Sequence, residues 1–147
     1  MAIKEMSEAE CRAFLAHAQM GRLGCALEGQ PYVVPISVVC EGEYIYSFAT
    51  LGQKVQWMRK NPKVCIQFDE LAGQSQWTSV IANGTYQELR EPQYETERGH
   101  ARKLLDRKSK WWLNALAERD LKVGDHLIDP LFFRIQVESV SGLQATE

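Results

Sequence analysis

Two short glycine-centred breaks early in the chain constrain its fold more than any other feature. Glu28-Gly29-Gln30 and Glu41-Gly42-Glu43 divide the run GCALEGQPYVVPISVVCEGEYIYSFA, whose other residues are mostly apolar, β-branched or aromatic. Breaks as short as these connect neighbouring antiparallel strands. The pattern therefore predicts a three-stranded meander over residues 23–28, 31–40 and 44–49.

Three later segments predict the rest of the sheet. Residues 63–69 alternate between polar and apolar side chains, 77–89 form a longer run of β-prone residues, and 130–145 alternate again. With the meander they predict a mainly β protein: a six-stranded antiparallel barrel, closed or partly closed, with peripheral helices. Because side chains fill the interior of so small a barrel, we expect any ligand on its outside, at a strand edge or between subunits.

Two residues interrupt the predicted strands. Pro35 lies inside the second strand, and because proline has no N–H to donate it marks a sheet edge, a bulge or a place where the backbone faces a ligand. Gly84 lies inside the strand at 77–89, where an isolated glycine predicts a bulge or a bend.

Helical patterns flank and interrupt the strands. Ser7 and Glu10 have the spacing of a capping box, and apolar residues follow at helical intervals, which predicts a helix from Ser7 to Gln19. A polar, helix-prone insert is predicted at about 92–119. No linker or repeat divides the chain, so residues 1–147 are predicted to form one domain. The apolar stripe of the insert consists of Leu104, Leu105, Trp111, Trp112, Leu113 and Leu116.

Charge and hydropathy argue against several classes of function. The chain has 147 residues and a net charge of −2, which gives no electrostatic basis for binding nucleic acid or an acidic membrane. No apolar run approaches the ~18 residues that a transmembrane helix needs, and the N-terminal segment lacks the apolar core of a secretory signal. We therefore expect a cytoplasmic protein without nucleic-acid or membrane partners.

The reactive side chains form no recognisable catalytic or metal-binding motif. The four cysteines are widely spaced, with no C-x-x-C pair, which argues against a zinc site and favours small buried thiols in a reducing compartment. His17, His100 and His126 are each expected at the surface. No Ser/His/Asp spacing and no pair of carboxylates indicates a hydrolase. The sequence thus indicates no metal and no catalytic residue.

The segment GQKVQWMRKNP, which follows the third predicted strand, allows two interpretations. In the first, a helix begins at Lys54, and its first-turn N–H groups bind a phosphate group together with the lysine ammonium. The Thr50 hydroxyl and the flexible backbone of Gly52 would assist. In the second, the segment is a connector whose Val55 and Met58 pack on the barrel while the lysine stays in solvent. Residue types alone leave both interpretations open.

Several motifs in a fixed order resemble a known protein family. They are G-x-K followed shortly by N-P, the strand G-x-P-x-x-x-P, and W-x-S-V, and they lie within residues 21–91 and 130–145. Their order resembles the FMN-binding split-barrel family of pyridoxamine 5′-phosphate oxidase-like proteins, in particular its short, nitroimidazole-reductase-like branch. The resemblance covers most of the chain.

The resemblance implies a homodimer that binds one FMN at each of two equivalent sites between its subunits. By position, Lys54 would contact the FMN phosphate, assisted by Thr50 and the Gly52-Gln53 turn. The isoalloxazine ring would lie along two neighbouring strands, and the W-x-S-V residues would approach it from either subunit. The residues implied at the ring are Val34, Pro35, Ile36, Ser37, Phe48, Ala49, Trp77, Thr78 and Ser79.

The resemblance also implies a function. FMN would supply the chemistry, so we expect a flavin-dependent oxidoreductase acting on an unidentified small molecule, with a nicotinamide donor as one candidate source of electrons. The alternatives are a flavin-binding redox or stress-related module without turnover, and a relative that uses a deazaflavin or haem. Ser47-Phe48-Ala49 stands where many members have His-Ser-Ala. A histidine that could contact a nitroimidazole is therefore missing.

The predicted insert is locally basic. Its charges predict either a solvated helix face or a surface for an anionic substrate or for the adenosine phosphate of a nicotinamide donor. Trp111 and Trp112 are expected in the core, in a dimer interface or over the open face of the flavin. The basic residues are Arg102, Lys103, Arg107, Lys108 and Lys110.

Overall fold

Eight strands form one antiparallel sheet in the part of the chain that the structure describes, residues 2–107 and 130–146 of a computed structural model. The strand order is β3-β2-β6-β7-β8-β5-β4, and β1 pairs with β8. The sheet does not close, and the helices of the described residues lie at its periphery, which confirms the predicted mainly β, split-barrel fold. The elements are β1 (Ala2–Glu5), α1 (Glu8–Leu15), β2 (Met20–Leu27), β3 (Gln30–Ser37), β4 (Val39–Glu41), β5 (Tyr44–Ala49), α2 (Gln53–Lys60), β6 (Lys63–Leu71), β7 (Trp77–Glu88), α3 (Glu95–Asp106) and β8 (Leu131–Thr146).

The described residues form eight strands where the sequence predicted six, for two reasons. The strand predicted at 31–40 is two strands, β3 and β4, because the chain turns at Val38, which is fully buried and donates its N–H to the Gln19 carbonyl at 3.0 Å. The second reason is β1, whose four exposed residues carry no alternating pattern. They form a strand because they pair with the distant end of β8.

The first helix is shorter than predicted. Its capping box is present, because the Ser7 hydroxyl accepts from the Glu10 N–H and the Glu10 carboxylate accepts from the Ser7 N–H, each at 3.1 Å. The helix ends at Leu15 rather than Gln19, since the N–H groups of His17 and Ala18 bond to carbonyls only three residues earlier. The chain therefore tightens into a turn before β2 begins.

Pro35 and Gly84 both lie where the sequence predicted an irregular position, Pro35 in an edge strand and Gly84 at a shift of register. β3 lies at the end of the described sheet and pairs only with β2, so Pro35 is in an edge strand. The register between β7 and β8 shifts between Asn83 and Gly84. A Cβ atom at Gly84 would overlap the carbonyl oxygen of Gln136. The extra residue of this bulge, Glu138, is on β8, and the close approach of β8 at Gln136 requires glycine at position 84.

Two apolar clusters lie on opposite faces of β5. Ile45 and Ala49 belong to the main cluster inside the curled sheet, to which α1 and α2 also contribute. Tyr46 and Phe48 belong to a second cluster, which includes the apolar residues of α3. Both faces of β5 are thus buried, and the strand forms the boundary between the two clusters.

The helical insert predicted at 92–119 is described only in part. α3 forms its first half and buries Leu104 and Leu105 in the second cluster. Arg102, Lys103 and Arg107 are exposed, as expected of a solvated helix face. The other predicted residues of the insert lie outside the described residues: Lys108, Lys110, Trp111, Trp112, Leu113 and Leu116.

Candidate functional site

The sheet is split between β3 and β5. β3 pairs with β2, and β4 pairs with β5 only as far as Val39↔Tyr46. Beyond that point the two strands approach each other, and the Ser47 hydroxyl donates to the Ser37 carbonyl oxygen at 2.6 Å. β5 then leads through residues 50–52 into α2. The split therefore ends at the N-terminus of this helix.

α2 begins without a side-chain cap. Gly52 occupies the N-cap position with extended backbone (φ −156°, ψ −166°), and the Gln56 N–H donates to its carbonyl at 3.1 Å. The N–H groups of residues 53–55 therefore have no acceptor within the helix. The first turn carries no acidic residue, so nothing in it offsets the positive end of the helix dipole. This end of the helix is suited to an anion.

Lys54 adds a full charge beside these N–H groups. Its side chain is half-buried, and no hydrogen bond or ion pair joins its ammonium group to another described residue. Burial lowers the pKa of Lys54, and the neighbouring Cys25 thiol acts in the opposite direction. A cation that is withdrawn from water is costly unless an anion accompanies it. The ammonium group therefore has no anionic partner among the described residues, and a phosphate would supply one.

The rest of α2 anchors this lysine. Val55 and Met58 are fully buried in the main cluster, as the connector interpretation predicted. Trp57 packs against Tyr32 of β3, with ring centroids 5.8 Å apart. These contacts hold the helix next to the edge strand. Each interpretation of the segment therefore describes part of α2: one face packs on the barrel, and the N-terminal end lies open at the split.

The turn before α2 leaves room for a bound group. The extended backbone of Gly52 is one that any residue adopts, and a Cβ atom there would meet no atom closer than the Thr50 carbonyl oxygen at 3.9 Å. Packing within the chain therefore does not require this glycine. Thr50 is half-buried and Gln53 is exposed. With Lys54, the residues predicted at the phosphate lie together in one turn.

The residues predicted at the ring on β3 and β5 face different sides. Ile36 and Ala49 are buried in the main cluster, and Val34 packs partly buried against it. Phe48 faces the opposite way, into the second cluster, so its side chain does not line the split. Pro35 is exposed on the edge strand. A ring along these strands would therefore meet their backbone, Val34 and Pro35 rather than Phe48.

The residues of the W-x-S-V motif lie far from α2 within one chain. β7 begins at Trp77 and ends at Glu88, which is hydrogen-bonded to Arg59 of α2. Its 12 residues span about 35 Å if extended. β2 and β6 also lie between β3 and β7 in the sheet. Trp77, Thr78 and Ser79 therefore do not border the split of their own chain.

An ion-pair network that no sequence pattern indicated lies at the other end of α2. The Glu88 carboxylate accepts two hydrogen bonds from Arg59, at 2.8 and 3.1 Å, one from the Tyr86 hydroxyl at 2.7 Å, and one from Arg90. Its side chain is 9% exposed. Although burial raises the pKa of Glu88, these hydrogen bonds lower it to about 2. The network ties α2 to the end of β7.

Within the part of the chain that the structure describes, the other titratable side chains form no catalytic or metal-binding cluster at the split. His17 and His100 are exposed, and the His100 Nε2 atom lies 2.7 Å from the Glu41 carboxylate; His126 lies outside the described residues. No group of three His, Cys, Asp or Glu side chains in residues 2–107 and 130–146 could hold a metal ion. No helix of these residues is long and apolar enough to cross a membrane. The cysteines are free thiols, buried at Cys11 and Cys25 and half-buried at Cys40 and Cys65.

A split antiparallel barrel with an uncapped helix N-terminus beside the split is the architecture of a known class of protein. The pyridoxamine 5′-phosphate oxidase family model matches residues 7–144. The chain therefore belongs to the pyridoxamine 5′-phosphate oxidase family, which confirms the resemblance that its motifs indicated.

Individual relatives share both sequence and fold. An uncharacterized protein from Rhizobium meliloti (strain 1021) is 37% identical over 150 residues, which cover 99% of this chain and 97% of the relative. A FAD-binding protein from Mesorhizobium loti is 36% identical with a TM-score of 0.81, covering 100% of this chain and 99% of that one. A candidate 5-nitroimidazole antibiotic resistance protein from Bacteroides thetaiotaomicron is 19% identical with a TM-score of 0.68, covering 100% and 93%. This last comparison shows the fold alone.

Proposed function

We propose that this protein binds FMN along the split between β3 and β5, with the phosphate at the N-terminus of α2. The observation that carries the proposal is the half-buried ammonium group of Lys54, which no described residue pairs, beside a helix end without a cap. A phosphate satisfies both, since it accepts hydrogen bonds from the first-turn N–H groups and neutralises the lysine. Thr50, Gly52 and Gln53 form the remaining wall of the phosphate site.

The flavin ring lies along β3 in this proposal. β3 is an edge strand, so one side of its backbone faces the split and can meet the polar edge of the ring. Val34 and Pro35 supply apolar contact. A bound flavin supplies hydride or single-electron transfer; the residues of the chain hold it, orient it and shield it from water. The FAD-binding relative from Mesorhizobium loti, 36% identical over the full chain, supports a flavin as the ligand.

We infer that the bound FMN makes the protein a cytoplasmic oxidoreductase that acts on a small molecule, with a nicotinamide donor as the source of electrons. The test begins with the absorbance spectrum of the purified protein, followed by mass identification of the released chromophore. A flavin spectrum together with oxidation of a nicotinamide donor supports an oxidoreductase, whereas a flavin spectrum without turnover supports a binding module. A colourless protein that takes up no FMN at micromolar concentration would refute the proposal.

We also propose that two copies form a homodimer through the outer face of the sheet. Four large apolar side chains are exposed on neighbouring strands of this face: Ile3, Leu71, Ile81 and Leu143. Cross-strand pairing places Leu71 directly beside the partly buried Trp77. Contiguous exposed apolar residues mark an interaction surface, and a symmetric pair buries the same patch twice. In such a dimer, the W-x-S-V residues of one subunit can approach the split of the other subunit.

Replacing Leu143 with aspartate is expected to convert the dimer to a monomer, because an unpaired carboxylate in an apolar interface is costly to desolvate. Sedimentation velocity at micromolar concentration would show half the wild-type mass. Thr96→Asp, at an exposed position of α3, is the control and should stay dimeric. A wild-type protein that sediments as a monomer under these conditions would contradict the proposed dimer.

A further inference from the structure

A shallow groove of about 490 Å³ lies on the outer face of the sheet beside α2. A row of cross-strand neighbours runs across it: Gly24 pairs with Val33 on one side and with Cys65 on the other, and Cys65 pairs with Asn83. All four residues line the groove. Along β7, Asn83 of the groove lies about 20 Å from Trp77 but only about 7 Å from Ile81, so the groove adjoins the apolar surface proposed for dimerisation.

The floor of the groove suits a flat ring. Gly24 has no side chain, and a Cβ atom there would lie 2.9 Å from the Cys65 sulfur, so the small Cys65 side chain lies over the Gly24 backbone and the floor stays low at this point. Val33, which is 66% exposed, and Pro31 form an apolar wall beside it. A planar aromatic group can therefore lie against this surface.

Polar side chains around the floor match the other parts of a nucleotide. The exposed carboxamide of Asn83 offers a donor and an acceptor, as does the edge of adenine that it would face. The Glu138 carboxylate can accept hydrogen bonds from ribose hydroxyls. The Lys63 ammonium, 3.3 Å from that carboxylate, supplies a cation for a phosphate. Base, sugar and phosphate each have a partner in one groove.

The groove also adjoins the proposed flavin phosphate site. Cys25 lines the groove, and its thiol is the neighbour that acts electrostatically on the Lys54 ammonium. Tyr32 lines it as well and packs against Trp57 of α2. The proposed flavin site and the groove therefore both border β2 and the edge strand β3.

We propose that this groove binds an adenosine 5′-phosphate group. Two ligands carry that group next to a flavin site: FAD, whose adenylate half is joined to the flavin phosphate, and a nicotinamide dinucleotide that donates electrons. Both would use the Gly24–Cys65 floor, the carboxamide of Asn83 and the charged pair of Lys63 and Glu138. The choice between these two ligands rests on the proposed function. Binding of adenosine 5′-phosphate in the groove does not.

The test measures binding of 5′-AMP to the full-length protein by isothermal titration calorimetry, with the protein both flavin-free and loaded with FMN. Wild-type protein is expected to bind 5′-AMP more tightly than uridine 5′-phosphate. Lys63→Ala is expected to weaken 5′-AMP about tenfold or more, and Asn83→Ala to remove the preference for adenine. Lys60→Ala, which removes an exposed lysine on α2 outside the groove, should change neither. Far-ultraviolet circular dichroism confirms that each exposed-site variant is folded.

Two further measurements identify the source of the adenosine phosphate. If it is FAD, flavin-free protein binds FAD at least about tenfold more tightly than FMN, and Lys63→Ala removes this difference while FMN affinity stays the same. If it is a nicotinamide dinucleotide, FMN-loaded protein binds NADH, and 5′-AMP displaces it.

The groove proposal fails if 5′-AMP binds neither form of the protein at millimolar concentration, or if it binds equally well to Lys63→Ala and Asn83→Ala. The flavin proposal fails separately, if FMN does not bind. Binding of 5′-AMP without FMN would therefore leave the groove standing and refute the flavin site, and the reverse result would refute only the groove.

Discussion

Replacing Lys54 with alanine is expected to weaken FMN binding by roughly tenfold to more than a hundredfold, equivalent to about 1.5–3 kcal/mol. The reason is that the variant loses a charge-assisted contact to the phosphate at a half-buried position, where water screens the charge less than at the surface. Titration of flavin-free protein with FMN, followed by quenching of flavin fluorescence, measures the affinity directly.

The controls for this variant separate a binding role from a structural one. Lys60→Ala removes the same charge from the exposed C-terminal end of α2 and should leave FMN affinity unchanged. Lys54→Ala should not lower the thermal stability of the flavin-free protein, because the wild-type ammonium is half-buried without a partner among the described residues. Unchanged FMN affinity in Lys54→Ala would mean that the phosphate binds elsewhere.

Replacing Glu88 with glutamine is expected to lower the free energy of unfolding at pH 7 by about 1–3 kcal/mol, since Arg59 and Arg90 lose their shared carboxylate. The folded-state pKa of Glu88, about 2, lies below the ordinary value of 4.5. Its contribution is therefore fully present above pH 4.5 and is lost as the pH falls toward 2. Solvent screening at the exposed Arg90 keeps the effect below that expected from the full pKa shift.

Urea unfolding at several pH values tests this dependence. The difference in unfolding free energy between wild type and Glu88→Gln should be largest at neutral pH and should shrink between pH 4.5 and 2. Glu91→Gln, in an exposed pair with Arg98 at 3.5 Å, is the matched control and should have a smaller effect. A difference that stays constant across the whole pH range would contradict the lowered folded-state pKa of Glu88.

Much of the sheet could be predicted because its signals are local. The glycine breaks and the alternation of residues give β2, β3, β5, β6, β7 and β8 nearly in place, and the isolated Gly84 indicates where the register between β7 and β8 shifts. β1 could not be predicted, because its exposed residues become a strand only by pairing with β8 from the other end of the chain. The break at Val38 also depends on a contact outside its own segment, with Gln19.

The candidate site was predictable to the extent that it is local. A strand end, a glycine turn and a helix start follow one another in the sequence, so Thr50, Gly52 and Lys54 could be grouped from the sequence alone. The direction of Phe48 could not, because both faces of β5 are buried and its pattern does not tell the two clusters apart. Arg59 and Glu88 lie 29 positions apart, and no sequence pattern joins them.

The two prolines of β3 affect which strands can pair at the open edge of the sheet. Pro31 and Pro35 are four residues apart in one strand, so their backbone nitrogens face the same edge, the one away from β2. Neither nitrogen can donate a hydrogen bond, so a strand added at that edge, from the same molecule or from another, would lack donors at both positions. The missing donors at Pro31 and Pro35 thus weaken any strand pairing at this edge, whether within the molecule or between molecules.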